Sequence, residues 1–141
     1  MTERNAIGLT LYGEARGETL AGKMAVASVM RNRLQSGRWG HTYGQVVLAP
    51  KQFSCWNDND VNRKILNDLA LQLDSGVTPD DAVLRQCLWV ADGVMCEAFP
   101  SGVEDATHYF AATMAHPPNW ANPPSEYVGR VGSHLFYRNV R

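Results

Sequence analysis

The 141-residue chain has little that would mark it for a membrane, a nucleic acid or a metal. Its 13 lysines and arginines balance 14 aspartates and glutamates, for a net charge of −1. A charge so near zero gives no general attraction to nucleic acid or to an anionic membrane surface. No run approaches the roughly 20 apolar residues of a membrane-spanning helix, so membrane insertion is not expected. The opening, "MTERNAIGLTLYGE", has no basic stretch followed by an unbroken apolar one, so no secretory signal is expected. Cysteine is scarce and odd in number: Cys55, Cys87 and Cys96. Cys87 and Cys96 fall on one expected helix, roughly 13 Å apart by helical rise, too far for a disulfide. The three thiols are read as free and used as small apolar residues. There is no H-E-x-x-H and no close Cys/His pairing, so neither a metal nor any other cofactor is expected. The glycines of 13–17 lack the Gly-Lys-Ser/Thr ending of a phosphate loop, and no G-x-S-x-G or cysteine-protease signature is present.

What is present is mostly helix, in one expected domain over residues 1–141. Thr2 can cap a first helix whose inward stripe runs Ile7, Leu11, Glu14 at spacings of four and three. A second, from about Leu20, is apolar nearly all round apart from Lys23 and Ser28, which places it centrally; Arg31-Asn32-Arg33 and Gly37 mark its exit. A loop with one short turn over Gln45–Leu48 follows. Val61, Ile65, Leu69 and Leu73 define a third helix. Thr78-Pro79-Asp80-Asp81 starts a fourth, with Thr78 as its cap and the stripe Leu84, Leu88, Ala91, Met95. After Pro100, "ATHYFAA" and "SHLFYR" read as short extended segments, separated by a Pro-rich connection of about 20 residues, a length more common in functional loops. The fold class is mainly α, with a small β/loop region near the C-terminus.

Glu14 stands out because its stripe predicts partial burial, and desolvation raises a carboxyl pKa. A carboxyl that keeps its proton near neutrality, at the mouth of a cleft, can protonate a glycosidic oxygen. The surrounding glycines would let a bulky substrate approach the backbone. The competing account is a helix-end acid paired with Arg16, Arg31 or Arg33. Glu18 is expected to open the second helix and to be structural. Aromatic rings beside amides and hydroxyls (Phe53 and Trp56 near Gln52 and Ser54; Tyr109 and Trp120 near His108 and Asn119) suit a surface on which sugars stack.

Taken in order, "YGEARGE" (12–18), "GKMAVASVMRNR" (22–33), "QFSCWN" (52–57), "ATHYF" (106–110), "NW" (119–120) and "GSHLFYR" (132–138) resemble the SleB-type cell wall hydrolases, named for spore-cortex-lytic enzymes. The resemblance implies a lysozyme-like helical domain that cleaves the glycan strands of peptidoglycan between N-acetylmuramic acid and N-acetylglucosamine. It implies that the first glutamate of EARGE, Glu14, is the catalytic acid. It also implies a lytic transglycosylase giving 1,6-anhydro-muramyl ends, a reaction that needs no second carboxylate. The expected substrate cleft comprises Gln52, Phe53, Ser54, Trp56, His108, Tyr109 and Trp120. A monomer is expected, made in the cytoplasm and released to the wall in the manner of a phage endolysin. The alternatives are a water-using muramidase with Asp58, Asp60, Glu104 or Asp105 as base, a non-catalytic peptidoglycan-binding module, and a metal-dependent hydrolase built on His108, His116 or His134.

Overall fold

Helix α1 (Glu3–Ala15) begins where Thr2 accepts the Asn5 amide at 3.1 Å, as the sequence indicates. The computed structural model describes all of Met1–Arg141. Ile7, Leu9 and Leu11 are fully buried, each burial contributing about 1.5–3 kcal/mol. With Ala6, Thr10 and Ala15 also buried, α1 is enclosed on more sides than a simple stripe implies, and it packs against all four other helices. Helix α2 (Leu20–Ser36) is the central, nearly all-apolar element expected of it. Its cap is Thr19, whose hydroxyl accepts the Gly22 amide at 3.1 Å, so Glu18 stands outside the helix rather than opening it. Gly37 ends α2 at φ +73°, a left-handed position that glycine occupies freely.

Three further helices enclose this pair. The short α3 (Tyr43–Leu48) lies where a turn was expected. Helix α4 (Val61–Asp74) exists as read, and the second half of its expected stripe faces the core, but the first half does not. Val61 is 83% exposed and Ile65 faces solvent, while Leu66 is fully buried and Leu69, Ala70 and Leu73 pack on the core. Helix α5 (Ala82–Met95) starts later than Thr78 suggested. Asp81 is the cap, accepting the amides of Val83 and Leu84 at 3.0 Å each and the Tyr12 hydroxyl at 2.7 Å. Leu84, Leu88 and Ala91 are buried as expected, whereas Met95 is exposed. All three cysteines are free: Cys55 and Cys87 serve as buried apolar residues, and Cys96 is exposed.

The C-terminal third forms a three-stranded antiparallel sheet in the order β1-β3-β2. Strands β1 (His108–Ala111) and β3 (His134–Arg138) are the two aromatic segments; β2 (Glu126–Val131) lies inside the stretch read as Pro-rich loop. The architecture is thus mainly helical with a small C-terminal sheet. No helix is long and apolar enough to cross a membrane.

Of the two glycines flanking Glu14, Gly13 serves packing. A Cβ on Gly13 would stand 2.6 Å from Cys55 Cβ and 2.9 Å from Leu66 Cδ1, both residues fully buried. Gly13 therefore lets the 52–57 segment and α4 close onto the end of α1, beside Glu14. Gly13→Ala should cost a net of about 1–2 kcal/mol in chemical denaturation, because overpacking outweighs the gain in helix propensity. Gly17→Ala, with nothing within 4 Å, should change stability by less than about 0.5 kcal/mol.

Candidate active site around Glu14

The buried stripe of α1 ends in its last turn, and Glu14 stands there half-buried. That end of a helix carries the negative pole of its dipole, which disfavours an anion, and the last turn holds no basic residue. Glu14 also forms no ion pair. The nearby Arg16 turns away, donating to Asn62 Oδ1 at 2.5 Å with its guanidinium over the Tyr12 ring. The salt-bridged account of Glu14 is therefore set aside. Burial pushes its pKa up. The Ser54 hydroxyl and the amides of Cys55 and Ser54 oppose that, the charge of Asp60 adds to it, and the net is a rise. Its two hydroxyl neighbours are loose, Ser54 Oγ at 3.4 Å from Oε2 and Tyr109 OH at 3.5 Å from Oε1.

The carboxyl opens into a cleft of about 370 Å³. On one wall, Ser54 and Gln52 come from the segment before α4. Opposite are Tyr109 at the start of the sheet and His134 at the head of β3. Arg33, from the last turn of α2, and Lys51 also line it, with Phe110, Ala111, Met114 and Pro118. Arg33 Nε donates to the Thr107 carbonyl at 2.7 Å and Nη1 to Gln52 Oε1 at 3.2 Å, with the guanidinium over the Trp39 and Phe53 rings. Burial pulls its pKa down to about 10, still far enough above neutrality to leave it a cation. Asn32 donates to the carbonyls of Glu104 and Ala106 at 2.9 and 2.8 Å. Together Asn32 and Arg33 fix the strand that delivers Tyr109. The "RNR" at the end of α2 thus does more than mark a helix exit.

Of the eight candidates, the structure brings Glu14, Gln52, Ser54 and Tyr109 together in this cleft. The other four do not line it. Phe53 is 2% exposed and belongs to the core beneath Arg33. Trp56 is packed against the core, donating from Nε1 to Thr10 at 2.9 Å, and it borders a separate hollow. His108 and Trp120 lie on the other face of the sheet, because adjacent strand residues alternate and Tyr109 takes the inner one. There Trp120 packs on His108, Phe110 and Tyr137. Sequence reasoning missed Arg33 and His134 as cleft residues. Arg33 sits seven residues beyond Val26 on the buried face of α2, and His134 alternates with buried Phe136. Those spacings were the available signals.

No second acid faces Glu14 across the cleft. Asp58 pairs with Arg63 and is 94% exposed; Asp60 caps α4; Glu104 and Asp105 pair with Arg138. No group of three His, Cys, Asp or Glu side chains is placed to hold a metal.

The family model described as Cell Wall Hydrolase matches residues 17–137, beginning just after Glu14. The spore cortex-lytic enzyme of Halalkalibacterium halodurans is 32% identical over 127 residues, covering 89% of this chain and 32% of that protein. The spore cortex-lytic enzyme of Oceanobacillus iheyensis is 41% identical over 127 residues, again 89% of this chain and 38% of that one. The chain therefore spans about a third of the length of these relatives. Among solved structures, the catalytic domain of the germination-specific lytic transglycosylase SleB from Bacillus anthracis superimposes with a TM-score of 0.62. The match covers 96% of this chain and 93% of that one at 21% identity, a likeness of fold.

The shift at Glu14 has a consequence for stability. A carboxyl whose pKa is higher folded than unfolded binds more protons in the native state, so stability falls as pH rises through that interval. Glu14→Gln removes the cost of the buried anion. The variant should melt above the wild type at neutral pH, with the gap closing below the ordinary carboxylate range. A thermal melt series from pH 3 to 8 measures it; a gap that is constant or widens toward acid contradicts the shift.

Proposed function

The chain belongs to the cell wall hydrolase family, and on that premise we propose that it cleaves peptidoglycan glycan strands between N-acetylmuramic acid and N-acetylglucosamine as a lytic transglycosylase. One observation carries the proposal: Glu14 is the only carboxylate lining its cleft, and it is one that favours keeping its proton. In this reading the Glu14 proton goes to the glycosidic oxygen as the bond from muramyl C1 to that oxygen breaks, the electron pair leaving with the departing sugar. Positive charge builds on C1 and the ring oxygen. The C6 hydroxyl of the same sugar then bonds to C1, and its proton passes to the Glu14 carboxylate, restoring the acid. No net proton is consumed and no water enters.

The surroundings suit both halves of that cycle. Dryness and the helix end favour the protonated acid at the start. The Ser54 and Tyr109 hydroxyls and the Arg33 cation support the carboxylate that exists midway. A muramidase reaction would need a base carboxylate on the far side of the sugar, about 6.5–9.5 Å from the acid for inversion. The acids named for that role all lie outside the cleft. Action as a monomer, released to the wall as a phage-type lysin, is carried as part of the same proposal.

Purified peptidoglycan tests it. Wild-type protein should clear the suspension, and Glu14→Gln should slow clearing by about 10²–10⁴-fold. Mass spectrometry of the products should find anhydro-muramyl ends. Reducing muramyl ends instead would assign hydrolysis, and full activity of the Glu14→Gln protein would remove Glu14 from the chemistry.

A further inference from the structure

The single-acid reaction leaves a cleft residue and its neighbour unexplained: a buried imidazole with an unpaired nitrogen, and a second glutamate fixed behind it. His134 opens β3 opposite Ala111, on the same sheet face as Phe136 and Tyr109. It is 9% exposed, lines the cleft, and sets its ring edge-on to Tyr109 with centroids 4.8 Å apart. Nδ1 is buried without a hydrogen bond, 3.5 Å from Glu18 Oε1.

Glu18 is held from several directions. Its Oε1 accepts the Ser133 amide at 2.9 Å, and its Oε2 accepts the Ser133 hydroxyl. Gly132 has φ +56°, and a Cβ there would stand 2.5 Å from Glu18 Oε1, so the β2–β3 turn is shaped around this carboxylate. Lys23 Nζ grips the Glu18 carbonyl at 2.8 Å and Gln86 Oε1 at 2.9 Å. Burial works to raise the Glu18 pKa, but the Ser133 hydroxyl and amide, with His134 and Lys23, outweigh it and hold it below the usual range. Glu18 is an anion.

That anion decides the tautomer of His134. Neutral imidazole carries one donor and one acceptor nitrogen. An acceptor at Nδ1 would set a lone pair against a carboxylate oxygen, so the proton belongs on Nδ1. Burial lowers the ring's pKa, with Glu18 working against it, and the ring is neutral at pH 7. Nε2 then keeps its lone pair. Because Nδ1 is sealed against Glu18, the opposite ring edge, which carries Nε2, is the part left for the cleft.

We propose that His134 contacts the substrate, its Nε2 accepting a hydrogen bond from a hydroxyl or acetamido N–H of an amino sugar, and that Glu18 and Ser133 are positioning residues that hold this tautomer. The inference rests on the reading that the cleft takes a glycan strand. It gives the second glutamate of "EARGE" a task at the β2–β3 turn that a helix-capping role would not require.

Asparagine and glutamine separate contact from support. In His134→Asn the amide nitrogen replaces Nδ1 and keeps the donor to Glu18, but nothing replaces Nε2. The expected result is a melting temperature near wild type with kcat/KM lowered about tenfold or more, the loss of one site hydrogen bond. His134→Gln, whose amide oxygen reaches the Nε2 position, should recover part of that loss. Wild-type kcat/KM in His134→Asn overturns the proposal. A second measurement needs no change at His134: ¹⁵N NMR of the Glu14→Gln protein. It should show a protonated Nδ1 and a bare Nε2, whose shift moves on adding solubilised glycan strands. An Nε2-protonated ring, or no movement at saturation, overturns the proposal even if His134→Asn fails to fold. Failure of the catalytic reading looks different: Glu14→Gln would still cut glycan, whatever His134 does.

Discussion

The candidate active site depends on a carboxyl left at the end of a buried helix with no ion-pair partner. α1 is enclosed because Ile7, Leu9 and Leu11 must leave water, and the register that buries Ile7 and Leu11 brings Glu14 to their side one turn later. The helix end presents unpaired carbonyls there, so the dipole and the dry surroundings act in one direction on the proton. A lysine or arginine within ion-pair distance would cancel both effects. Arg16, the cation next door in sequence, is committed to Asn62 and Tyr12 instead.

The cleft around that acid is assembled by buried polar groups, which makes its geometry specific rather than merely compact. Asn32 and Arg33 reach three backbone carbonyls, those of residues 104, 106 and 107, just before β1. An unpaired buried carbonyl or guanidinium costs several kcal/mol at worst, so these partners fix the depth at which β1 enters. Tyr109 follows directly, and its hydroxyl reaches Glu14 only because that depth is fixed. Apolar packing would tolerate a shift of half a residue here; these hydrogen bonds do not. Arg33 also crosses the cleft to Gln52, which Trp39 Nε1 approaches at 3.1 Å, so both walls share one anchor.

Much of this was legible in the sequence, and the gaps have identifiable causes. The caps at Thr2 and Gly37, the stripe to Glu14 and the central α2 follow from local rules that tertiary contacts did not override. The Thr78 start lost to Asp81 because an aspartate that accepts two helix amides and a tyrosine hydroxyl outcompetes a threonine several residues upstream. The first half of the α4 stripe failed because Val61 and Ile65 look apolar, while the side facing α1 is chosen there by Leu66 and the space at Gly13. β2 was hidden because its partner is β3, and a strand whose alternation is broken at Gly129 reads as loop until that partner is known. His108 and Trp120 were misplaced for a plainer reason. Composition identifies aromatic segments but not faces, and one strand cannot turn both His108 and Tyr109 inward.

The two glutamates of "EARGE" show how environment divides labour between identical side chains. Glu14 meets burial that the Ser54 hydroxyl and nearby amides do not offset, and its pKa rises. Glu18, four residues later, meets an amide, a hydroxyl, an imidazole and a lysine, and its pKa falls. The break of the helix between them is what allows this. An unbroken helix would have put both acids on one face within reach of each other, where mutual repulsion would raise at least one for reasons unrelated to substrate. Turning the chain after Ala15 instead sends Glu18 to the β2–β3 turn, where it ties the last strand to the entrance of α2. A stable anion there can orient a neutral histidine, while Glu14, the acid proposed to exchange its proton, is the only carboxylate lining the cleft.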